Sequence, residues 1–271
     1  MPHSPPLTFL SIRYALSIAC FLVWVAWSRP AWPRDRAQWL HQAVAGTLMH
    51  AGYLGGVWAA VRLGLGAGTG ALVVGLQPIL TAIWLRAMAS ASHRVSPRQW
   101  AGLALGLAGL VLVVGRKLGE GEVTPANLAL AILALLSITV GTLYQKRYVA
   151  PCDVRSAAVV QLGAALVVSL PFALFETAPL EWHPELIGAM AWSVLVLTLG
   201  GSSLLYLLIQ RGAATQVASL MYLVPPCTAA LAWWLFGEAF TAWMALGLAF
   251  TAAGVWLVVR AAAPIDNPVQ R

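Results

Sequence analysis

Apolar positions in this chain come in long unbroken blocks. A helix crossing the hydrocarbon of a bilayer needs about 20 mainly apolar residues, and nine stretches meet that requirement: 7–28, 37–61, 67–89, 97–115, 125–149, 154–175, 184–210, 213–236 and 239–260. The polar positions fall in the short links between them, which leave little chain for a soluble domain. Pro30, Pro33, Pro97, Pro125, Pro151, Pro179 and Pro184 punctuate the links, most of them at or just before a helix start, where proline is well tolerated. No basic region precedes the first block, and the block is long enough to span, so a cleavable signal peptide is not expected.

Composition agrees with that pattern. Hydrophobic residues make up 60% of the 271 positions and charged residues 9%, against roughly 25% charged in a soluble domain. Too few charges are present to cover a soluble fold of this size. An ordinary cytosolic enzyme, a disordered chain and a secreted disulfide scaffold are therefore excluded, and an all-α polytopic membrane protein is expected.

The net charge of +7 invites a nucleic-acid partner, because basic chains bind phosphate backbones. Its distribution argues against one, since the basic residues stand singly or in small groups between apolar blocks. They do orient the chain, because cytoplasmic loops are enriched in Lys and Arg. One side collects Arg29, Arg34, Arg36, Arg86, Arg94, Arg98, Lys146, Arg147, Arg155, Arg211, Arg260 and Arg271, while the other has only Arg62, Arg116 and Lys117 with the acidic group Glu176, Glu181 and Glu185. This split puts the C-terminus in the cytoplasm, and nine crossings put Met1 outside. The excess of Arg over Lys, with abundant Ala and Gly, points to a GC-rich bacterial genome and thus to a bacterial inner membrane.

Enzymatic, metal and cofactor chemistry finds no foothold. Cys20, Cys152 and Cys227 are too scattered for a metal site or a disulfide framework. Gly66-Ala67-Gly68-Thr69-Gly70-Ala71 formally matches a dinucleotide fingerprint, but that motif needs a strand before it, and an apolar helix precedes it here. No metal, cofactor or catalytic residue is expected.

The segment 70–115 resembles 217–260. Pro78 aligns with Pro225, and Ala71, Leu76, Thr81 and Ala82 with Ala218, Leu223, Thr228 and Ala229. After a two-residue slip, Gly102, Leu103, Ala104, Ala108 and Gly109 align with Gly247, Leu248, Ala249, Ala253 and Gly254. The copies lie five spans apart, an odd number, so they run through the membrane in opposite directions. Inverted repeats of this kind are an architecture of secondary transporters, which bind substrate near the midplane between the repeats. The expected division is a first repeat over 1–119 and a second over 120–271. The first repeat is one helix short, and a helix before residue 7 is expected to be missing; ten helices would return the N-terminus to the cytoplasm.

Pathway candidates follow from chemistry inside the apolar blocks. Pro78 and Pro225 sit near the centres of their spans, where proline frees a carbonyl that must be satisfied elsewhere; a packing kink and a binding site both account for them. Gln77 and Tyr222 flank them. His50 is central in its span, and Thr47, His50 and Tyr53 are three residues apart, on one α-helical face. Ionisable groups at that depth usually face the bundle interior or a wet cavity. Tyr144, Gln145, Ser202, Ser203, Tyr206 and Gln210 could line a polar path or anchor helix ends at the interface. Arg13, about two turns into the first span, could line the path or snorkel outward. All nine Asp and Glu lie in loops, tails or helix ends, so no buried carboxylate relay is visible. Gly102 and Gly106 form a GxxxG, and with Gly247 and Gly254 they mark close helix packing; a homodimer is left open.

The run 219–259 resembles the closing segment of EamA-type transporters in the drug/metabolite transporter superfamily. That family typically carries a Pro in its ninth helix, a Gly-Glu at the helix end and a Gly-rich tenth helix, and Pro225, Gly237-Glu238, Gly247 and Gly254 match. Gln77-Pro78 and Gly102 to Gly109 look like the equivalent half, with Ala91 and its neighbours in place of the Glu. Residues 6–16 look like the family's second helix, where an Arg is usual, and Arg13 matches it. The resemblance implies ten helices in two inverted five-helix repeats and movement of small organic solutes, often outward. A non-transporting membrane scaffold and an inactive product lacking the first helix are the competing readings.

Overall fold

A computed structural model describes residues 4–77, 79–81, 84, 97–119, 122–201, 204, 227–228, 231, 233–235, 237 and 241–262. Every regular element among the described residues is helical. These elements are α1 (Pro6–Ser28), α2 (Arg36–Arg62), α3 (Ala67–Val74), α4 (Pro97–Gly119), α5 (Pro125–Tyr148), α6 (Val154–Leu174), α7 (Pro184–Gly201) and α8 (Ala242–Ala262). Helices α1, α2, α5, α6 and α7 are long and apolar enough to cross a membrane, and shorter apolar helices accompany them. The spans expected at 7–28, 37–61, 97–115, 125–149 and 154–175 thus have helical counterparts. The one at 213–236 lies largely outside the described residues.

Local chemistry sets the helix ends. Pro6, Pro97, Pro125 and Pro184 open their helices, at the position where a missing N–H costs nothing. Asp35 caps α2 by accepting from the Gln38 amide at 2.7 Å. Thr124 and Asn127 cap α5 reciprocally, at 2.9 and 3.2 Å. Asp153 caps α6 by accepting from the Arg155 amide at 2.9 Å and pairs with its guanidinium at 2.7 Å. That hydrogen bond, partly offset by burial, holds the Asp153 carboxyl below the usual range. Helix α1 stops at Arg29, whose φ of 45° is left-handed, and Pro30 bars continuation. Gly64, at φ 94°, makes the tight turn into α3, a conformation only glycine adopts without strain.

The helix ends expected outside are capped by acids distant in sequence. Glu176 accepts from the Leu7 and Thr8 amides at 3.1 and 2.7 Å at the start of α1. Glu122 does the same for the Gly66 amide, at 3.0 Å, at the start of α3. Carboxylates here answer both the unpaired amides and the positive end of the helix dipole.

The chain forms two compact units: Met1–Leu63 with Ala129–Ala218, and Gly64–Leu128 with Ser219–Arg271. The first holds α1, α2, most of α5, α6 and α7. Its α1 buries Leu10, Tyr14, Ser17 and Phe21 along one stripe against Leu162 and Ala165 of α6. Phe9 packs with Leu186, Met190 and Val194 of α7. The opposite faces are equally apolar: Trp27 is 90% exposed and Leu174 78%. A helix apolar on all sides belongs in lipid.

In the second unit α4 and α8 meet through glycine. A Cβ on Gly254 would lie 2.5 Å from the Gly102 carbonyl and 2.7 Å from the Gly106 amide, and one on Gly109 would lie 2.5 Å from the Gly247 carbonyl. Close backbone approach of this sort is how helices associate when lipid removes the hydrophobic drive between them. Helix α3 ends at Val74 in a turn over Gly75 and Leu76. Four positions after Val74 comes Pro78, which lies outside the described residues. A proline there removes the donor that would bond the Val74 carbonyl.

Candidate functional site

Polar side chains within the first unit gather where two helices widen. Helix α2 adopts π-helical pairing over Thr47–Gly52, and α7 does so over Trp192–Gly201. An i→i+5 ladder misaligns carbonyls with their usual partners, and such bulges are frequent at functional sites. Consecutive residues of α1 reach one widened segment each. Arg13 donates through Nε and Nη2 to Thr198 Oγ1, at 3.2 and 3.1 Å, and the Thr198 hydroxyl donates to the Ser193 carbonyl at 2.8 Å. Tyr14, 1% exposed, donates its hydroxyl to the His50 carbonyl at 3.0 Å, and its ring meets the imidazole edge-on. Arg13 therefore does not snorkel to a helix end.

A second line of polar groups runs between α6 and α2. Gln161 on α6 donates to Gln42 Oε1 at 2.6 Å, and Gln42 Nε2 in turn approaches Cys152 Sγ at 3.0 Å. The Gln161 side chain also lies beside the His50 imidazole. Glycine makes this approach close, since a Cβ on Gly46 would overlap the Gln161 backbone. Burial pushes the Cys152 thiol upward, against the hydrogen bond from Gln42, so the thiol stays protonated.

Towards the end of α5, Tyr144 Oη lies 2.8 Å from His41 Nδ1, and the Tyr148 ring stacks on the His41 imidazole. Gln145 Oε1 beside it is buried, with no hydrogen-bond partner among the described residues. Thr47, His50 and Tyr53 are all half-buried, and the wider turn over Thr47–Gly52 changes the angular spacing between them. Gln77 is half-buried in the second unit. Pro78, Tyr206, Tyr222 and Pro225 lie outside the described residues, as do Ser202, Ser203 and Gln210. The structure thus brings Arg13 and His50 to one cluster through Tyr14. It adds Gln42, Gln161, His41 and Thr198, which the sequence did not single out. Among the described residues no group of His, Cys, Asp and Glu is placed to hold a metal ion.

Polar groups clustered inside an apolar helical bundle suit passage of a solute. The model of the EamA-like transporter family matches residues 1–115 and 126–260. The chain belongs to the EamA-like transporter family. An uncharacterized transporter of Archaeoglobus fulgidus is 24% identical over 261 residues, 93% of this chain and 87% of the relative. A probable amino-acid metabolite efflux pump of Salmonella typhimurium is 25% identical, over 95% of this chain and 86% of the pump. The uncharacterized inner membrane transporter YedA of Escherichia coli is 26% identical, over 90% and 79%. A solved crystal structure overlays with a TM-score of 0.61 at 19% identity, covering 96% of this chain and 90% of the other, which shows a shared fold. The EamA-like chain is therefore a multi-pass membrane transporter rather than an enzyme, with a small-molecule substrate and the lipid bilayer as its surroundings.

Proposed function

We propose that the chain moves small organic solutes, metabolite- or amino-acid-like, outward across a bacterial cytoplasmic membrane by alternating access. The observation that carries this reading is the cluster of Arg13, Tyr14, His50, Gln161 and Thr198 at two π-helical segments of otherwise apolar helices. Ionisable side chains placed there mark a solute path. The likeness to the Salmonella relative, a probable amino-acid metabolite efflux pump, supports the substrate class. In this reading residues 1–119 and 120–271 are two inverted repeats of a ten-helix plan, which rock about a solute held near Pro78, Pro225 and His50. Arg13, Thr47, Tyr53, Gln77, Tyr144, Gln145, Tyr206 and Tyr222 line its route, and the C-terminus faces the cytoplasm.

The test is counterflow into sealed proteoliposomes carrying the full chain, with radiolabelled amino acids and related metabolites as probes. Protein-dependent accumulation of at least one solute is expected. Accumulation no greater than in empty liposomes, across the panel, would overturn the proposal.

A further inference from the structure

Among the described residues Arg13 has no carboxylate for a counter-ion. The guanidinium lies within a membrane-spanning helix, and its hydrogen bonds go to one neutral hydroxyl, Thr198 Oγ1, from Nε and Nη2. No Asp or Glu among the described residues is a partner. The Thr198 proton is committed to the Ser193 carbonyl, so the hydroxyl presents lone pairs to the arginine and adds no negative charge. Neighbouring dipoles are engaged elsewhere: Tyr14 on the His50 carbonyl, Gln161 on Gln42. A charge removed from water and left unpaired is strongly unfavourable, and an arrangement that keeps one is expected to have a use for it.

The geometry of the pair says which use. A guanidinium has five N–H donors in a fixed plane. Thr198 takes the side edge, one donor from Nε and one from Nη2. Three remain, two on Nη1 and one on Nη2; one from each nitrogen forms the end edge of the fork, and the second Nη1 donor points back toward Cδ. That edge matches a carboxylate, which it binds through two parallel charge-assisted hydrogen bonds. A single cation among neutral dipoles balances a monoanion, whereas a phosphate dianion would leave charge over.

We infer that the end edge of Arg13 is an anion subsite that anchors the carboxylate of a small monocarboxylic solute, amino acids included, while Thr198 holds the guanidinium side-on. The inference rests on the transport reading and narrows its substrate class. Thr198 is a positioning residue, and Arg13 is the group that touches the solute.

Ligand-induced thermal stabilisation of the full chain in detergent tests the subsite without requiring flux. The probes are L-amino acids and simple 2-oxo acids, each paired with its carboxamide, which removes the charge and keeps the shape. Carboxylates are expected to stabilise the wild-type chain and carboxamides to leave it unchanged. Arg13→Gln should weaken carboxylate binding by about 10- to 100-fold, the worth of a hydrogen bond to a charged group. Arg13→Lys keeps the charge without the fork and should retain the carboxylate preference at reduced affinity. Thr198→Val should weaken binding by less while keeping that preference; these two variants carry the test if Arg13→Gln does not fold. Equal stabilisation by acid and amide, no stabilisation by any carboxylate, or unchanged affinity in the folded variants would overturn the subsite. Proteoliposome flux separates the two ideas. Carboxylate binding through Arg13 with no flux sinks the transport reading alone, and flux that ignores the carboxylate sinks the subsite alone.

Discussion

At the scale of single residues, the first unit keeps its chemistry through hydrogen bonds that no short stretch of sequence announces. Arg13 and His50 are conspicuous in the sequence because each is an ionisable group inside an apolar block. Gln42 and Gln161 are not. Both are uncharged amides, and only the fold brings residues 119 positions apart into contact. Tyr14 reads as an aromatic on an apolar stripe until its hydroxyl is found on the His50 carbonyl. Tyr14→Phe deletes that bond and leaves a carbonyl of the widened segment unanswered, a loss of about 1 kcal/mol. It should lower the melting temperature in detergent by about 2–4 °C, read by intrinsic tryptophan fluorescence. His50→Ala removes the imidazole beside Gln161 and is expected to raise the KM for a transported solute by about tenfold, with Tyr53→Phe causing a smaller rise. Kinetics unchanged in both variants would take the path away from this face of α2. The Asp153 carboxyl, held low by Arg155, stabilises the folded chain above its unfolded pKa. That contribution disappears as pH falls through the depressed value, so Asp153→Asn should cost stability at neutral pH and progressively less in acid.

Among the elements, helix starts were legible and helix interiors were not. Proline and Asp35 or Asp153 fix where α1, α2, α4, α5, α6 and α7 begin, because capping is settled by a few adjacent residues. The π-helical stretches in α2 and α7 had no such signal, since neighbouring helices decide whether a ladder slips to i→i+5. The repeat alignment drew attention to the glycines of α4 and α8, and the reason they matter is the approach of two backbones. Gly254→Val would drive a side chain into the Gly102 carbonyl and the Gly106 amide, an overpacking that costs roughly 1–3 kcal/mol or more. Loss of the monodisperse peak in size-exclusion chromatography is the expected reading. Gly163 on α6 has nothing within 4 Å of its Cβ position, so Gly163→Ala should leave that peak intact and raise stability by about 0.5–1 kcal/mol.

For the whole molecule, the distribution of Lys and Arg makes orientation a quantitative expectation. A fluorescent protein fused after Arg271 should fold and fluoresce, and alkaline phosphatase in the same place should stay inactive; the reverse pair of signals would invert the topology. The blocks of apolar sequence revealed a multi-pass protein because lipid imposes length and composition on each helix separately. They did not reveal which helices associate, because lipid-facing and helix-facing positions are both apolar here. That association has a consequence for how the chain is made. The compact unit that begins at Met1 is completed only by residues 129–218, and a ribosome adds about 5–20 residues per second. Helices α1 and α2 enter the membrane and then wait, on the order of ten seconds, for α5 and α6 to arrive. During that interval Arg13 is in the bilayer before Thr198 has been synthesised. A stalled or shortened nascent chain would be left presenting that bare cation to lipid, in the form that membrane quality control is equipped to remove.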